Sequence, residues 1–144
     1  MTVIGIDPGS QTGMAVFEDG HLVSLETYTP VQLVRDFLFG ELVVFEDSRN
    51  SPIFAGSRAH GSSRAAAMKM ARAIGEIDAW CRLIEDICKR EGIKCVGISP
   101  KQKGRKLNAA EFRELTGWTG QTNQHERDAA MVAWPYRNSS EDSA

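Results

Sequence analysis

Short aliphatic runs alternate with longer segments of helical periodicity along this chain, and together they predict its secondary structure. The aliphatic runs predict five strands, at residues 2–7, 12–18, 21–28, 42–46 and 94–99. The Asp19-Gly20 pair between the second and third runs is a strong signal for a tight hairpin turn. The chain is therefore predicted to begin with a meander of three antiparallel strands.

Apolar residues spaced three and four positions apart predict four helices. These predicted helices cover residues 30–39, 64–91, 108–115 and 125–136. Gly40 and Gly92 follow the first two helices as stop signals. Residues 47–63 show neither a strand nor a helix period and predict a mobile loop, and the polar residues 138–144 predict a disordered tail.

The order of these elements predicts a mixed α/β domain with a five-stranded sheet flanked by helices. A chain of 144 residues suits one domain and is long enough to fold without a disulfide or a structural metal. We expect that domain to cover residues 1–137. The first and fourth strands can then lie side by side, with the last helix packed across them.

Composition and cysteine spacing argue against a membrane protein and a disulfide framework. No apolar run approaches the length of a membrane span, and the N-terminus lacks the pattern of a signal peptide, so a cytoplasmic protein with no membrane partner is expected. Cys81, Cys88 and Cys95 are odd in number and lack the spacing of paired zinc ligands. We interpret them as small buried hydrophobic residues.

Positive charge is concentrated in two segments, although the net charge of the chain is −2. Residues 49–75 carry a net charge of +5 and residues 101–113 carry +4, which leaves −11 on the rest. Such segregation favours contact with a phosphate backbone over two merely solvated loops. The candidate DNA-binding residues are Arg49, Arg58, Arg64, Lys101, Lys103, Arg105 and Lys106.

Acidic side chains stand at three points where an apolar run begins or ends. Asp7 and Glu46 each end a predicted strand, and Asp128 opens the apolar last helix. Because a carboxylate at the end of a buried strand is costly unless a cation neutralises it, three of them brought together would form a site for divalent cations. Such a site can cut phosphodiesters. Asp7 before Pro8-Gly9 is also typical of a simple turn.

The sequence leaves two questions about this site undecided: which of two adjacent acids belongs to it, and what its histidine does. Glu46 is followed by Asp47, and strand alternation sends the two to opposite faces, so that only one of them joins Asp7. His125 and Asp128 are spaced i, i+3, which puts both on one helix face. The helix dipole explains an acid at a helix N-terminus but not a histidine, so a neutral imidazole acting as a ligand or proton acceptor is the sharper interpretation.

Three motifs resemble those of the RuvC-type Holliday junction resolvases in the RNase H-like superfamily. They are IGIDPGSQTG at residues 4–13, FE at 45–46 and HERDAA at 125–130. The first motif is one residue shorter than the bacterial form, between Ser10 and Thr12, and the second continues into polar residues where apolar ones are typical. Phe54 is our assignment for the aromatic residue that wedges DNA in this family. The short chain is more similar to compact phage-borne members.

The resemblance implies an RNase H-like fold and a two-metal hydrolysis of DNA. Asp7 would bridge two Mg²⁺ ions, which Mn²⁺ could replace, with Glu46 and Asp128 as further ligands and His125 binding or activating the attacking water. One lysine of the segment KQKGRK at residues 101–106 would steady the scissile phosphate. A homodimer through the helix at 64–91 would bring two active sites to a four-way DNA junction, the implied substrate among branched DNAs.

Other functions remain as alternatives. An RNase H-like nuclease acting on RNA–DNA hybrids or flaps would use the same residues, because a fold alone does not decide the substrate. A protein that binds or scaffolds DNA without cutting it is a second alternative. The turn at residues 7–10 also resembles the phosphate-binding turn of actin-like and sugar-kinase-like ATPases, but those need a second domain to close over the nucleotide.

Overall fold

A computed structural model of the protein describes residues 1–36, 40–49 and 63–139. The strands are β1 (Thr2–Asp7), β2 (Thr12–Glu18), β3 (His21–Tyr28), β4 (Leu42–Glu46) and β5 (Lys94–Ile98). The helices are α1 (Pro30–Arg35), α2 (Arg64–Glu91), α3 (Pro100–Lys103), α4 (Ala109–Thr116) and α5 (Gln124–Ala133), and a 3₁₀ turn at Trp134–Tyr136 follows α5.

All five strands form one mixed sheet in the order β3-β2-β1-β4-β5. The first three strands are antiparallel, and β1, β4 and β5 run parallel to one another. Asp19 and Gly20 connect β2 to β3 with φ angles of 50° and 84°, the backbone that a tight hairpin turn requires. The predicted five-stranded mixed sheet, with its initial meander, is confirmed.

Helices cover both faces of the sheet, which explains why its central strands are almost uniformly apolar. On one face Ile4 and Ile6 pack with Leu33 of α1 and with the second half of α2. On the other face Val3 packs with Phe112 of α4 and with the alanines of α5. Each central strand thus contributes alternate side chains to two separate cores.

Helix α5 lies directly against the backbone of β1 and β2. A Cβ atom on Gly5 would overlap the carbonyl oxygen of Ala129, and one on Gly13 would overlap the carbonyl oxygen of His125. Only glycine permits this close approach. The two glycines therefore determine how near the first turn of α5 comes to the end of β1.

Helix α2 packs against the sheet over its second half only. Its 28 residues begin after Ser63, whose hydroxyl accepts from the Ala66 amide, and end at Gly92 with a φ angle of 69°. Buried α2 residues are Cys81, Ile84, Ile87 and Cys88. Residues 64–69 are all exposed. The cysteines are free thiols; Cys81 and Cys88 are buried as predicted, whereas Cys95 is only half-buried.

Two predicted helix ends are wrong, and one short helix was not predicted. Helix α1 ends at Arg35 instead of reaching Gly40, because the chain leaves helical geometry at Asp36. Its predicted apolar stripe is buried at Leu33, whereas Val31 and Val34 are exposed. Helix α3 has only four residues, too few to show a helical period, and it was not predicted. The last helix becomes a 3₁₀ turn after Ala133.

Some predictions lie outside the described residues. They concern the first helix beyond residue 36, most of the loop at 47–63 with Phe54 and Arg58, and the tail from residue 140. Within the part of the chain that the structure describes, no helix is both long enough and apolar enough to cross a membrane.

Candidate functional site

The carboxyl ends of the three parallel strands meet at one edge of the sheet, and Asp7 and Glu46 lie there. The register of β1 against β4 pairs Ile6 with Phe45, so the next residues, Asp7 and Glu46, are neighbours across the two strands. The turn after β1 is closed by the buried Thr12, whose hydroxyl donates to the Gly9 carbonyl at 2.7 Å. Strand pairing therefore holds the two carboxylates together.

Strand alternation decides between Glu46 and Asp47. Glu46 faces α5, whereas Asp47 accepts hydrogen bonds from Nε and Nη2 of Arg49 at 2.9 and 2.7 Å. Arg49 also reaches Glu85 on α2, with Nη1 2.6 Å from Oε1. The hydrogen bond from Arg49 lowers the pKa of Asp47 despite partial burial. Glu46 therefore joins Asp7, and Arg49, a predicted DNA-binding residue, has its guanidinium bound to two carboxylates.

The first turn of α5 brings two further side chains to the same edge. A capping box starts the helix, in which Asn123 accepts from the Glu126 amide at 2.9 Å and Glu126 accepts from the Asn123 amide at 3.0 Å. His125 then lies with Nδ1 3.5 Å from Oδ2 of Asp7. Asp128 is buried, with 6% of its side chain exposed. The four predicted metal-ligand residues are thus brought together.

Lys103 is the residue whose position the sequence analysis missed. The last turn of α3 carries its ammonium to 2.8 Å from Oε2 of Glu46 and 3.8 Å from Oδ2 of Asp128. Only 7% of the side chain is exposed. Lys103 is one of the predicted DNA-binding residues and one of the lysines in 101–106 from which a contact to the scissile phosphate is expected, but its place within the carboxylate cluster was not predicted. The sequence does contain a helix-start signal here. Ser99 is the N-cap residue, Pro100 is the first helical residue, and Gln102 is a capping residue at the third position.

Burial and like charge dominate the electrostatics of this cluster. Burial, followed by the charge of Glu46, raises the pKa of Asp7 to about 6, although Lys103 opposes the shift. Burial alone would lower the pKa of Lys103, but the hydrogen bond to Glu46 and the charges of the surrounding carboxylates outweigh it and raise that pKa. Negative charge is therefore in excess, and the site favours a further cation.

The carboxylates and the imidazole at this site are suitable ligands for a hard divalent cation, but in this structure they lie around the ammonium of Lys103. Carboxylate oxygens with one imidazole suit Mg²⁺ or Mn²⁺. Among the residues that the structure describes, no group of three His, Cys, Asp or Glu side chains is arranged to hold a metal ion as it stands. The ammonium of Lys103 lies between Glu46 and Asp128 and supplies the positive charge there.

A cavity of about 390 Å³ opens above these groups. Besides the four predicted ligands and Lys103, it is lined by Pro8, Ser48, Ile77, Pro100, Lys106 and Gln124. Lys106 is 67% exposed, and its ammonium lies 3.5 Å from Oδ2 of Asp128. The cavity therefore has an acidic floor and a basic rim, a combination suited to a metal-bound phosphate.

The remaining predicted DNA-binding residues lie away from the carboxylates. Arg105 is ion-paired with Glu111 of α4. Lys101 is exposed on α3, and Arg64 is exposed at the start of α2. Lys106 is thus the one member of the set, among those described, that combines high exposure with a place at the cavity.

The fold is similar to that of RuvC from Thermus thermophilus. The structure of that protein in complex with a Holliday junction substrate aligns with a TM-score of 0.55 and 18% identity, over 93% of this chain and 90% of that one. Another T. thermophilus RuvC structure aligns with a TM-score of 0.50 and 18% identity, over 93% and 92% of the two chains. No family model and no curated protein matches the chain. The expected RNase H-like fold is confirmed.

Proposed function

We propose that this protein is a metal-dependent endonuclease that cuts four-way DNA junctions. The observation that carries the proposal is the meeting of Asp7, Glu46, Asp128 and His125 in one cavity, at the carboxyl edge of a RuvC-like sheet. The structure of T. thermophilus RuvC, which has a similar fold, was determined in complex with a Holliday junction substrate. A basic rim above an acidic floor supports phosphodiester chemistry over mere DNA binding.

Two divalent cations, Mg²⁺ or Mn²⁺, complete the proposed site, held by Asp7, Glu46, Asp128 and His125. Asp7, which lies beside Glu46 at the strand ends and has Oδ2 3.5 Å from Nδ1 of His125, would be a ligand to these cations, as the resemblance of the motifs implies. When bound, such ions supply a hydroxide near neutral pH and stabilise charge on the attacking and leaving oxygens.

The protein's own side chains would then orient the phosphate and handle the proton. His125, with 46% of its side chain exposed and Nδ1 near Asp7, is suited to hold the attacking water and accept its proton. Lys106 is suited to contact the scissile phosphate, and Lys103 to do the same once cations replace it between the carboxylates. Lys101, Arg105 and Arg64 would contact the outer DNA backbone.

A homodimer through α2 is part of the proposal, because paired cuts in a junction need two sites related by symmetry. The exposed apolar Met68 in the first half of α2 supports it. The compact phage-borne type, the cytoplasmic location and the extent of the nuclease domain over residues 1–137 are also proposed, on the resemblance of the motifs and on composition.

The test is a cleavage assay on labelled four-way junction, Y-fork, flap, duplex and RNA–DNA hybrid, each with Mg²⁺, Mn²⁺ or EDTA. We expect paired symmetric nicks in the junction that disappear with EDTA. Asp7→Asn and Glu46→Gln should each reduce cleavage by roughly 100-fold or more. Asp47→Asn is the matched control, because the neighbouring carboxylate faces away from the cavity and should be dispensable for cleavage.

Other outcomes would redirect or end the proposal. Cleavage confined to the hybrid or flap would keep the metal site and change the substrate. Tight junction binding with no cleavage under either metal would favour the scaffold alternative. Junction cleavage by Asp7→Asn at the wild-type rate in Mg²⁺ would show that the proposed mechanism is wrong.

A further inference from the structure

A layer of hydrogen bonds behind the cavity fixes the orientation of Asp128. One turn earlier in α5, Nε2 of Gln124 donates to Oδ1 of Asp128 at 2.8 Å. The other end of the same amide, Oε1, accepts from Nη2 of Arg127 at 3.1 Å. Nε2 of Gln124 also donates to the Leu107 carbonyl at 3.5 Å. Because a guanidinium only donates and a carbonyl or carboxylate oxygen only accepts, these bonds together direct the amino end of Gln124 towards Asp128.

Arg127 is itself anchored to two loops that precede α5. Its Nε donates to the Leu107 carbonyl at 3.0 Å. Its Nη1 donates to the carbonyl and the hydroxyl of Thr122 at 3.1 and 2.7 Å. The guanidinium is therefore a fixed donor, and it also ties the residue after Lys106 to α5.

We infer that Gln124 is a positioning residue for the metal site, with Arg127 and the Leu107 carbonyl together setting the direction of its amide. The inference rests on the proposed function, since it concerns how Asp128 meets a cation. With Oδ1 held by Gln124, Asp128 presents Oδ2 to the cavity, where the ammonium groups of Lys103 and Lys106 lie 3.8 and 3.5 Å away. A ligand held in one orientation binds a metal more tightly than one free to rotate.

Direct measurement of Mn²⁺ binding, by electron paramagnetic resonance of the metal-free protein titrated with Mn²⁺, tests this without reference to cleavage. We expect Gln124→Leu, which keeps the bulk and removes the donor, to weaken Mn²⁺ binding by about 10- to 100-fold. Gln121→Leu is the matched control, because Gln121 is exposed in the preceding loop and should leave the affinity unchanged.

Arg127→Met separates positioning from packing. This variant loses all four hydrogen bonds of the guanidinium, so it should melt at a lower temperature than Gln124→Leu. Nε2 of Gln124 keeps Asp128 and the Leu107 carbonyl as acceptors in this variant, so Mn²⁺ affinity should fall less. We therefore expect the two variants to rank in opposite order for stability and for affinity.

Three outcomes would overturn the inference. If affinity falls in step with melting temperature in both variants, Gln124 acts through packing alone. If Gln124→Leu binds Mn²⁺ as tightly as the wild type, Gln124 does not position Asp128, while the proposed function stands. If the wild-type protein itself binds no Mn²⁺, the inference and the proposed metal site fail together.

Discussion

The ionised Asp7 carboxylate destabilises the metal-free protein, so the free energy of unfolding should depend on pH. The pKa of Asp7 is raised from 3.8 to about 6 by burial and by Glu46, so the native state holds this proton to a higher pH than the unfolded chain does. Stability contributed by Asp7 is therefore lost as the pH rises from 3.8 to about 6. In EDTA above that range, we expect Asp7→Asn to be more stable than the wild type, by on the order of 1–3 kcal/mol.

Urea denaturation of both proteins between pH 4 and 8 checks this prediction. The difference should be small near the lower limit and level off above the raised pKa of Asp7. Saturating Mg²⁺ should reverse the order, because only the wild type keeps the Asp7 carboxylate that is proposed to bind the cation. A difference that does not change with pH would contradict the assigned pKa shift.

The ammonium of Lys103 should stabilise the carboxylates of the site in the metal-free protein. Lys103→Met removes the only buried ammonium among the described groups that line the cavity, and leaves Glu46 and Asp128 without it. We expect the metal-free protein to lose about 3 kcal/mol of unfolding free energy, the usual effect of removing one partner of a buried pair. Saturating Mg²⁺ should restore most of this loss, as measured by urea denaturation with EDTA or Mg²⁺.

Lys101→Met is the control for that measurement. Lys101 is exposed on the same short helix, so its change should stay within about 0.5 kcal/mol in both conditions. An equal loss for Lys103→Met with and without Mg²⁺ would mean that the ammonium supports packing and does not stand in for a cation.

The sequence predicted which carboxylates come together, but not the cation between them. Acids at the ends of apolar runs identified Asp7 and Asp128 without any three-dimensional information. The choice between Glu46 and Asp47 depends on the register of β4 against β1, which is a tertiary property. Lys103 was missed because its direction depends on a helix of four residues, too short to leave a periodic pattern.

Gly5 makes the contact between α5 and the sheet, and with it the site, sensitive to a single methyl group. A Cβ at Gly5 would overlap the Ala129 carbonyl oxygen and lie 2.8 Å from Cβ of Ala133. We expect Gly5→Ala to destabilise the protein by about 1–3 kcal/mol, because neither the backbone carbonyl nor the helix can move aside freely. Chemical denaturation with EDTA measures this cost without a metal contribution.

Gly75→Ala is the opposite case within the same protein. Gly75 lies inside α2, and an added Cβ would meet nothing within 4 Å, so alanine should stabilise the helix by about 0.5–1 kcal/mol. Equal effects of the two substitutions would mean that glycine at position 5 is not required by the contact with α5.

The strands and the long helix were predicted well, and the short helices α1 and α3 were not. The five strands follow from short aliphatic runs, and α2 follows from a long helical pattern with a clear stop signal at Gly92. Helix α1 ends earlier than predicted because Asp36 already leaves helical geometry, four residues before the stop signal at Gly40. Within the helix, Leu33 is buried while Val31 and Val34 are exposed, and the spacing of apolar residues does not distinguish these positions.

The overall architecture was predictable because topology restricts how a three-stranded meander and two further parallel strands can combine. Parallel strands separated by helices, after an antiparallel meander, leave few arrangements of a five-stranded sheet. The apolar pattern of α2 does not show whether its apolar residues pack only on the sheet or also on a second surface. The sheet takes up residues from Ile77 onward, while the first turns remain exposed in the described structure.

The exposed half of α2 makes the proposed dimer testable. Met68 is 53% exposed on this half, and burying it would contribute about 1.5–3 kcal/mol in each copy of a symmetric pair. Met68→Glu should therefore weaken dimerisation by roughly 100-fold or more, measured by analytical ultracentrifugation. Val23→Glu, on the exposed edge strand β3 with 47% exposure, is the matched control and should leave dimerisation unchanged.

Because the carboxylate cluster is untouched, Met68→Glu should still bind Mn²⁺ but convert paired junction nicks into single ones. A dimer that survives Met68→Glu would show that the two copies meet on another surface.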